Sequence, residues 1–213
     1  MKLESLGHAC FLITNDQGKK LMCDPFDGHL GYPVPKRAAD LVTTSHGHAD
    51  HNYVAELPAG YQLIDTKDRV EKDGFVIYGV ESCHDDKLGS LRGMNIIYVI
   101  EADGLRFAHL GDLGHILTVD QLAQIGDVDV LMIPVGGYYT IDAQAAAAVV
   151  AAVKPKVVIP MHYRTAEGGN DKIAPVDGFL ALMGDDEIRE YDYLDLSVEG
   201  IDALRGVAVL TRV

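Results

Sequence analysis

Three histidines and an aspartate fall within six residues, His46-Gly47-His48-Ala49-Asp50-His51, directly after the apolar segment Asp40–Thr44. Imidazole is costly to bury without partners, and a solvated loop has no reason to collect three. Imidazole nitrogen and carboxylate oxygen together suit borderline-soft divalent metals such as zinc, manganese or iron. In a tight loop leaving a strand, His46 and His48 converge on one point, and Asp50 and His51 face a second nearby. Two metals need more donors than one loop holds. The fold must therefore bring other ligands to this loop.

The rest of the chain shows where they come from. Short strands are expected at Lys2–Leu6, Cys10–Asn15 and Lys19–Cys23, with Asn15-Asp16-Gln17-Gly18 as a hairpin turn. Further strands are expected at Tyr61–Ile64, Gly74–Glu81, Asn95–Glu101 and Leu105–Leu110. The second half alternates. Helices at Val119–Ile125, Asp142–Val153 and Asp177–Met183 are interleaved with strands at Val128–Pro134, Lys156–Pro160 and Val207–Val213. The apolar runs in Val128–Ile133 and Val157–Ile159 are those of strands covered on both faces. No repeat or linker interrupts the chain, so one domain over residues 1–213 is expected. That length buries about 70% of the surface an unfolded chain exposes, and no disulfide staple is required.

Three residues able to bind metal sit just past apolar strands: His84 in Ser82-Cys83-His84, Asp112 in Leu110-Gly111-Asp112, and His162 in Pro160-Met161-His162. Active sites are commonly assembled from loops on a rigid scaffold, and the placement recurs three times.

The histidine run, followed in order by His84, Asp112 and His162, resembles the metallo-β-lactamase superfamily. The likeness extends to Leu6-Gly7-His8-Ala9-Cys10-Phe11 and to the loop Pro134–Thr140, where it resembles small metal-dependent hydrolases related to ascorbate-6-phosphate lactonase. It implies an α/β fold of the αββα sandwich type with a dinuclear metal site on one edge. Carried over by position, His46, His48 and His84 hold one ion, and Asp50, His51 and His162 the other. Asp112 bridges them, with zinc the leading ion and manganese or iron also suited.

Two ions roughly 3.5–4 Å apart lower the pKa of a shared water from about 15.7 towards about 7, which supplies hydroxide for attack on a lactone, ester or phosphodiester. Asp50, Asp112 and His8 are the expected catalytic residues. Zinc β-lactamases resemble a pattern with cysteine where this chain has Asp112, so antibiotic hydrolysis is not expected. A non-catalytic scaffold of the same fold would be expected to have lost ligands, and all seven are present.

Composition narrows the partners. Eighteen Lys and Arg against 32 Asp and Glu give a net charge of −14, with no basic run. Phosphate-driven binding needs clustered cations, so a nuclease or other nucleic-acid binder is disfavoured. Two carboxylates against two dications leave the site positive, which favours a small anionic substrate. Cys10, Cys23 and Cys83 suggest no disulfide framework. Neither a signal peptide nor an apolar run near the roughly 20 residues of a membrane span is evident, so a cytoplasmic, non-membrane protein is expected. Apolar edge strands leave room for a homo-oligomer.

Other residues are open between two roles. His8 is placed to donate to substrate or to a ligand carboxylate, or to be a satisfied structural histidine. His109 either orients a ligand or packs in the core. Asp24 either accepts from a ligand imidazole or ends a turn. Tyr138, Tyr139 and Thr140 present polar groups to substrate or only form the turn before the Asp142 helix. Arg92, Lys87 and Arg164 are the cations available to an anionic group. His29 and His115 belong at the rim, and strand alternation turns Cys83 away from the metal.

Overall fold

In the computed structural model, which describes residues 1–184 and 189–213, two β-sheets pack face to face. The first contains β1 (Lys2–Gly7), β2 (Cys10–Thr14), β3 (Lys20–Cys23), β4 (Leu41–Thr43) and β5 (Gln62–Ile64) in that order, with β13 (Tyr193–Asp195) on the outside of β1. The second has eight strands. Antiparallel β6 (Val70–Lys72), β7 (Phe75–Cys83), β8 (Met94–Ala102) and β9 (Leu105–His109) continue into parallel β10 (Val130–Pro134), β11 (Val157–Met161) and β14 (Gly206–Leu210), with β12 (Arg189–Tyr191) at the edge. The expected strands are all present, with ends shifted by a few residues. The short strands β6, β12 and β13 are additional; each is three residues long, too short to show alternation.

Alternation along β1–β3 sends Leu3, Phe11, Ile13 and Leu21 inward, where they meet Ile77, Tyr98, Phe107, Met132 and Ile159 of the facing sheet. Phe11, Tyr98 and Phe107 are among the fully buried side chains of this layer. The outer face of the eight-stranded sheet is covered by α1 (Val119–Ile125), α2 (Ala143–Val153) and α3 (Asp177–Met183). Thr118 and Gln121 form a reciprocal capping box at the start of α1, and Asp142 caps α2 by accepting from the Ala145 N–H.

The six-stranded sheet is covered differently. Leu6, Leu12, Met22 and Val42 pack beneath Phe26, Leu30 and Tyr32 of an irregular segment whose one helical element is the 3-10 turn Gly28–Leu30. Pro25, Pro33 and Pro35 with Gly28 and Gly31 prevent an α-helix here. The described residues therefore place their α-helices on one outer face of the sandwich. No helix among them is long and apolar enough to cross a membrane.

This topology fixes the position of the site. His8, the His46 loop, His84, Asp112 and His162 follow the C-terminal ends of β1, β4, β7, β9 and β11, respectively. Crevices outside the carboxyl ends of strands are where open α/β sheets bind ligands.

Candidate metal centre

The site is organised around Asp112. Its main-chain N–H donates to Asn95 Oδ1 at 2.9 Å, and the Asn95 amide donates to Leu110 O and Ser82 Oγ, so the turn after β9 is held from β8. The carboxylate is 2% exposed and points between two histidine sets. Oδ2 lies 3.0 Å from His84 Nε2 and 3.8 Å from His46 Nε2. Oδ1 lies 3.0 Å from His51 Nε2 and 3.3 Å from His162 Nε2. His46 Nε2 and His48 Nδ1 are 3.0 Å apart, a spacing typical of two ligands on one ion. Asp50 is half-buried and faces the His51–His162 side.

All seven residues predicted as ligands meet here. Their donor atoms form overlapping groups: His46, His48 and His84; His46, His51 and Asp112; and Asp50, His51 and His162 with His8. The candidate groups among the described residues are built from histidine and aspartate.

Asp24, whose role the sequence left open, proves to be an acceptor from the His51 imidazole. Fully buried, it accepts from the Ser45 N–H at 2.8 Å and from Ser45 Oγ at 2.6 Å, and its Oδ2 lies 2.8 Å from His51 Nδ1. A carboxylate only accepts, so His51 carries its proton on Nδ1 and turns Nε2 to the site. Ser45 Oγ has given its one proton to Asp24, so its 2.9 Å contact to His46 Nδ1 is a bond donated by the ring. One carboxylate thus sets two ligand tautomers.

The electrostatics suit a cation. Burial, with His51 nearby, pushes His46 down to about 3, and burial with His162 does the same to His8, so both rings are neutral. Burial and His84 also lower His48. Burial opposes ionisation of Asp112, but His162 and His51 hold it well below the carboxylate range. Asp50 is held low against burial by the His8 and His51 rings. Burial lowers His51, yet Asp112 and Asp24 raise it well above its ordinary value. Positive charge is therefore favoured at its Nε2.

The donor set fits a metal on a further observation. His51 Nε2 and Asp112 Oδ1 are buried and make no hydrogen bond. Buried polar atoms are rarely left so, and an ion between them satisfies both.

A cavity of about 310 Å³ opens onto the ligands and is rimmed by His29, Leu91, Arg92, Tyr139 and Asn170. Tyr139 thus reaches the site. Tyr138 is largely exposed and stacks on Lys172, in a neighbouring cleft with His115. Arg164 lines a separate cleft with Pro175 and Val209, and Lys87 pairs with Asp86 in solvent; the structure brings neither to the metal cavity. Arg92 is the cation that arrives. His109 braces the site without joining it: Nε2 bonds the Ala9 carbonyl at 2.8 Å and Nδ1 accepts from the Gly111 N–H.

Two positioning residues escape sequence reasoning, Asn95 and Asp85. The Asp85 carboxylate accepts from the N–H groups of Lys87, Gly89, Leu91 and Arg92 at 2.7–2.9 Å, which folds the rim loop. Acceptor-rich turns of this kind have no fixed spacing.

Comparison with known proteins identifies the family. Residues 2–162 match the Beta-lactamase superfamily domain. A UPF0173 metal-dependent hydrolase of Pyrococcus furiosus is 31% identical over 196 residues, covering 78% of this chain and 85% of the relative. One from Pyrococcus abyssi is 29% identical over 194 residues, with the same coverages. A crystal structure from Thermotoga maritima, described as a Zn-dependent hydrolase of the metallo-β-lactamase superfamily, superposes with a TM-score of 0.79 at 38% identity, covering 98% of this chain and 97% of that one. The chain belongs to the metallo-β-lactamase superfamily, among its metal-dependent hydrolases.

Proposed function

We propose that this protein hydrolyses a lactone, ester or phosphodiester bond in a small anionic molecule, using two divalent ions. The observation that carries the reading is the Asp112 carboxylate, whose two oxygens face different histidine sets. His46, His48 and His84 would hold one ion and Asp50, His51 and His162 the other, with Asp112 between them. Zinc leads on an imidazole-rich donor set, and manganese and iron also suit it.

When bound, the ions supply Lewis acidity, which acidifies water at neutral pH and polarises the scissile oxygen. The chain does the rest. Asp24 and Ser45 fix the rings, and the walls of the cavity limit the size of the substrate. Asp50 borders the cavity, where its carboxylate is placed to take a proton. Arg92 stands at the mouth to meet an anionic group. The likeness to ascorbate-6-phosphate lactonase makes phosphorylated lactones the first compounds to try, and the unpaired thiols suit action in the reducing cytoplasm.

The test is metal content per chain by mass spectrometry, on protein purified without chelator, followed by a screen of lactones, esters and phosphodiesters. Two equivalents are expected. Asp112→Ala should lose at least one ion and all turnover while staying folded; unchanged metal and turnover would overturn the reading. Chelation should lower Tm as well. Ligand at about 1,000 times its Kd adds about 4 kcal/mol, which is on the order of 10 °C for a chain this size.

A further inference from the structure

We propose that His8 is a ligand of the second ion, beside Asp50, His51 and His162; the proposal rests on the dinuclear reading above. His8 occupies the turn between β1 and β2 with φ at 55°, in the left-handed region that non-glycine residues seldom adopt. His162 has the same unusual conformation, φ 53°, and its N–H donates to the His8 carbonyl at 3.1 Å. Two strained turns from opposite sheets are therefore tied together, and strain of this kind gathers at functional sites.

The tie carries the His8 ring into the ligand cluster. Its centroid lies 4.1 Å from that of His162 and 5.2 Å from that of His51, and its Nε2 lies 3.6 Å from Asp50 Oδ2. One donor atom from each of the four residues falls within 4.8 Å of all the others. That spread is close to the roughly 4.2 Å across a coordination sphere of about 2.1 Å radius.

The ring's remaining contact is edge-on packing against Phe26, which engages no nitrogen. It is buried, and neither nitrogen makes a hydrogen bond. The separation from Asp50 exceeds hydrogen-bond range but suits two ligands on one ion. A histidine kept for packing would leave two buried nitrogens unsatisfied, where an apolar side chain would leave none.

Ligation by His8 makes the two sites unequal. The first has His46, His48, His84 and Asp112 Oδ2, four donors. The second has His8, Asp50, His51, His162 and Asp112 Oδ1, five donors. Zinc in protein sites mostly takes four ligands, whereas manganese and ferrous iron accept six with mixed nitrogen and oxygen. The second site thus prefers manganese or iron more than the first does, and the position left for substrate lies on the first.

The experiment titrates metal-free wild type and His8→Ala with Mn²⁺ and with Zn²⁺, reading stoichiometry by mass spectrometry and affinity by calorimetry. Wild type should bind two ions. His8→Ala should bind the first unchanged and the second at least about tenfold more weakly, with a larger loss for Mn²⁺. A second-ion affinity within twofold of wild type overturns ligation by His8 and leaves the dinuclear reading intact. A single ion on wild type overturns both. Should His8→Ala fail to fold, His8→Phe, which keeps a ring in the buried space and offers no donor, takes its place in the same titration. A second-ion affinity at least about tenfold below wild type supports the proposal, and one within twofold overturns it.

Discussion

His51 and Asp24 are both completely buried, and the His51 Nδ1 proton is given to Asp24 Oδ2 across 2.8 Å, leaving Nε2 aimed at Asp112. The pair links a metal-facing nitrogen to the end of β3. Removing one partner of a buried charged pair costs about 3–5 kcal/mol, because the other is left uncompensated. Loss of a carboxylate that orients a ligating histidine typically costs 10–100-fold in metal affinity. Asp24→Asn should therefore lower Tm and weaken the ion at His51 by about that factor, with a smaller loss at the ion of His46, His48 and His84, which Asp24 reaches only through Ser45. Calorimetric metal titration beside a thermal melt checks both effects.

Gly114 shows that the site depends on residues that touch no metal. A Cβ here would lie 2.2 Å from the Asp85 nitrogen and 2.3 Å from the His84 carbonyl carbon. The obstacle is backbone, so the end of β7 must move, and overpacking of this kind costs about 1–3 kcal/mol. Gly114→Ala should lose stability and also lose the ion at His84. Gly79→Ala is the control: its Cβ would clash with Ile96 and Lys67 midway along β7, so it should lose stability while keeping its metal. Equal metal content in the two variants would refute this role for Gly114.

The sequence disclosed which residues cluster because each follows an apolar strand whose end can be read from residue type, as with Met161 before His162 and Leu110 before Asp112. Asp24 was ambiguous because its contact with His51 spans 27 residues and depends on β3 pairing in parallel with β4. Asn95 was hidden for a similar reason, being a polar residue in a strand that reads as ordinary sheet. The choice between Arg92 and Arg164 was beyond sequence, because a rim loop's path is set by bonds such as those converging on Asp85. The layer over β1–β4 departs from helix because its prolines and glycines block one.

The buried thiols give the protein an alkaline limit. Burial pushes Cys23 up to about 12 and Cys10 well above the ordinary thiol value. A raised folded pKa means that the unfolded chain loses its proton first. The stabilisation is complete below about pH 8.5, the usual thiol value, and is lost as pH rises through the folded values. Stability should fall from about pH 9 upward, and Cys23→Ala should flatten that decline. Thiolate is the reactive form, so alkylating reagent at pH 8 should leave Cys10 and Cys23 unmodified in native protein and label both in urea. Native labelling of Cys23 would contradict the burial argument.

Arg92 is the residue on which substrate charge should register. Its side chain donates to the Tyr138 carbonyl at 3.0 Å and lies 5.8 Å from the Tyr139 ring centroid, so the guanidinium is held at the cavity mouth. Asp85 fixes its main chain through the bond from the Arg92 N–H. In a chain with net charge −14, Arg92 is the one Lys or Arg among the described residues lining this cavity. A hydrogen bond to a charged group is worth about 1.5–3 kcal/mol, roughly ten- to a hundredfold in binding. A contact made equally with substrate and transition state changes KM and leaves kcat alone. Arg92→Ala should therefore raise KM by at least about tenfold for an anionic ester, while leaving kcat, metal content and a neutral analogue unchanged. Arg164→Ala should match wild type, because its cleft with Pro175 and Val209 is separate from the metal cavity. If the neutral analogue loses as much as the anionic ester, Arg92 acts by shaping the loop and not by charge. If Arg164→Ala alone raises KM, the substrate enters by the other cleft.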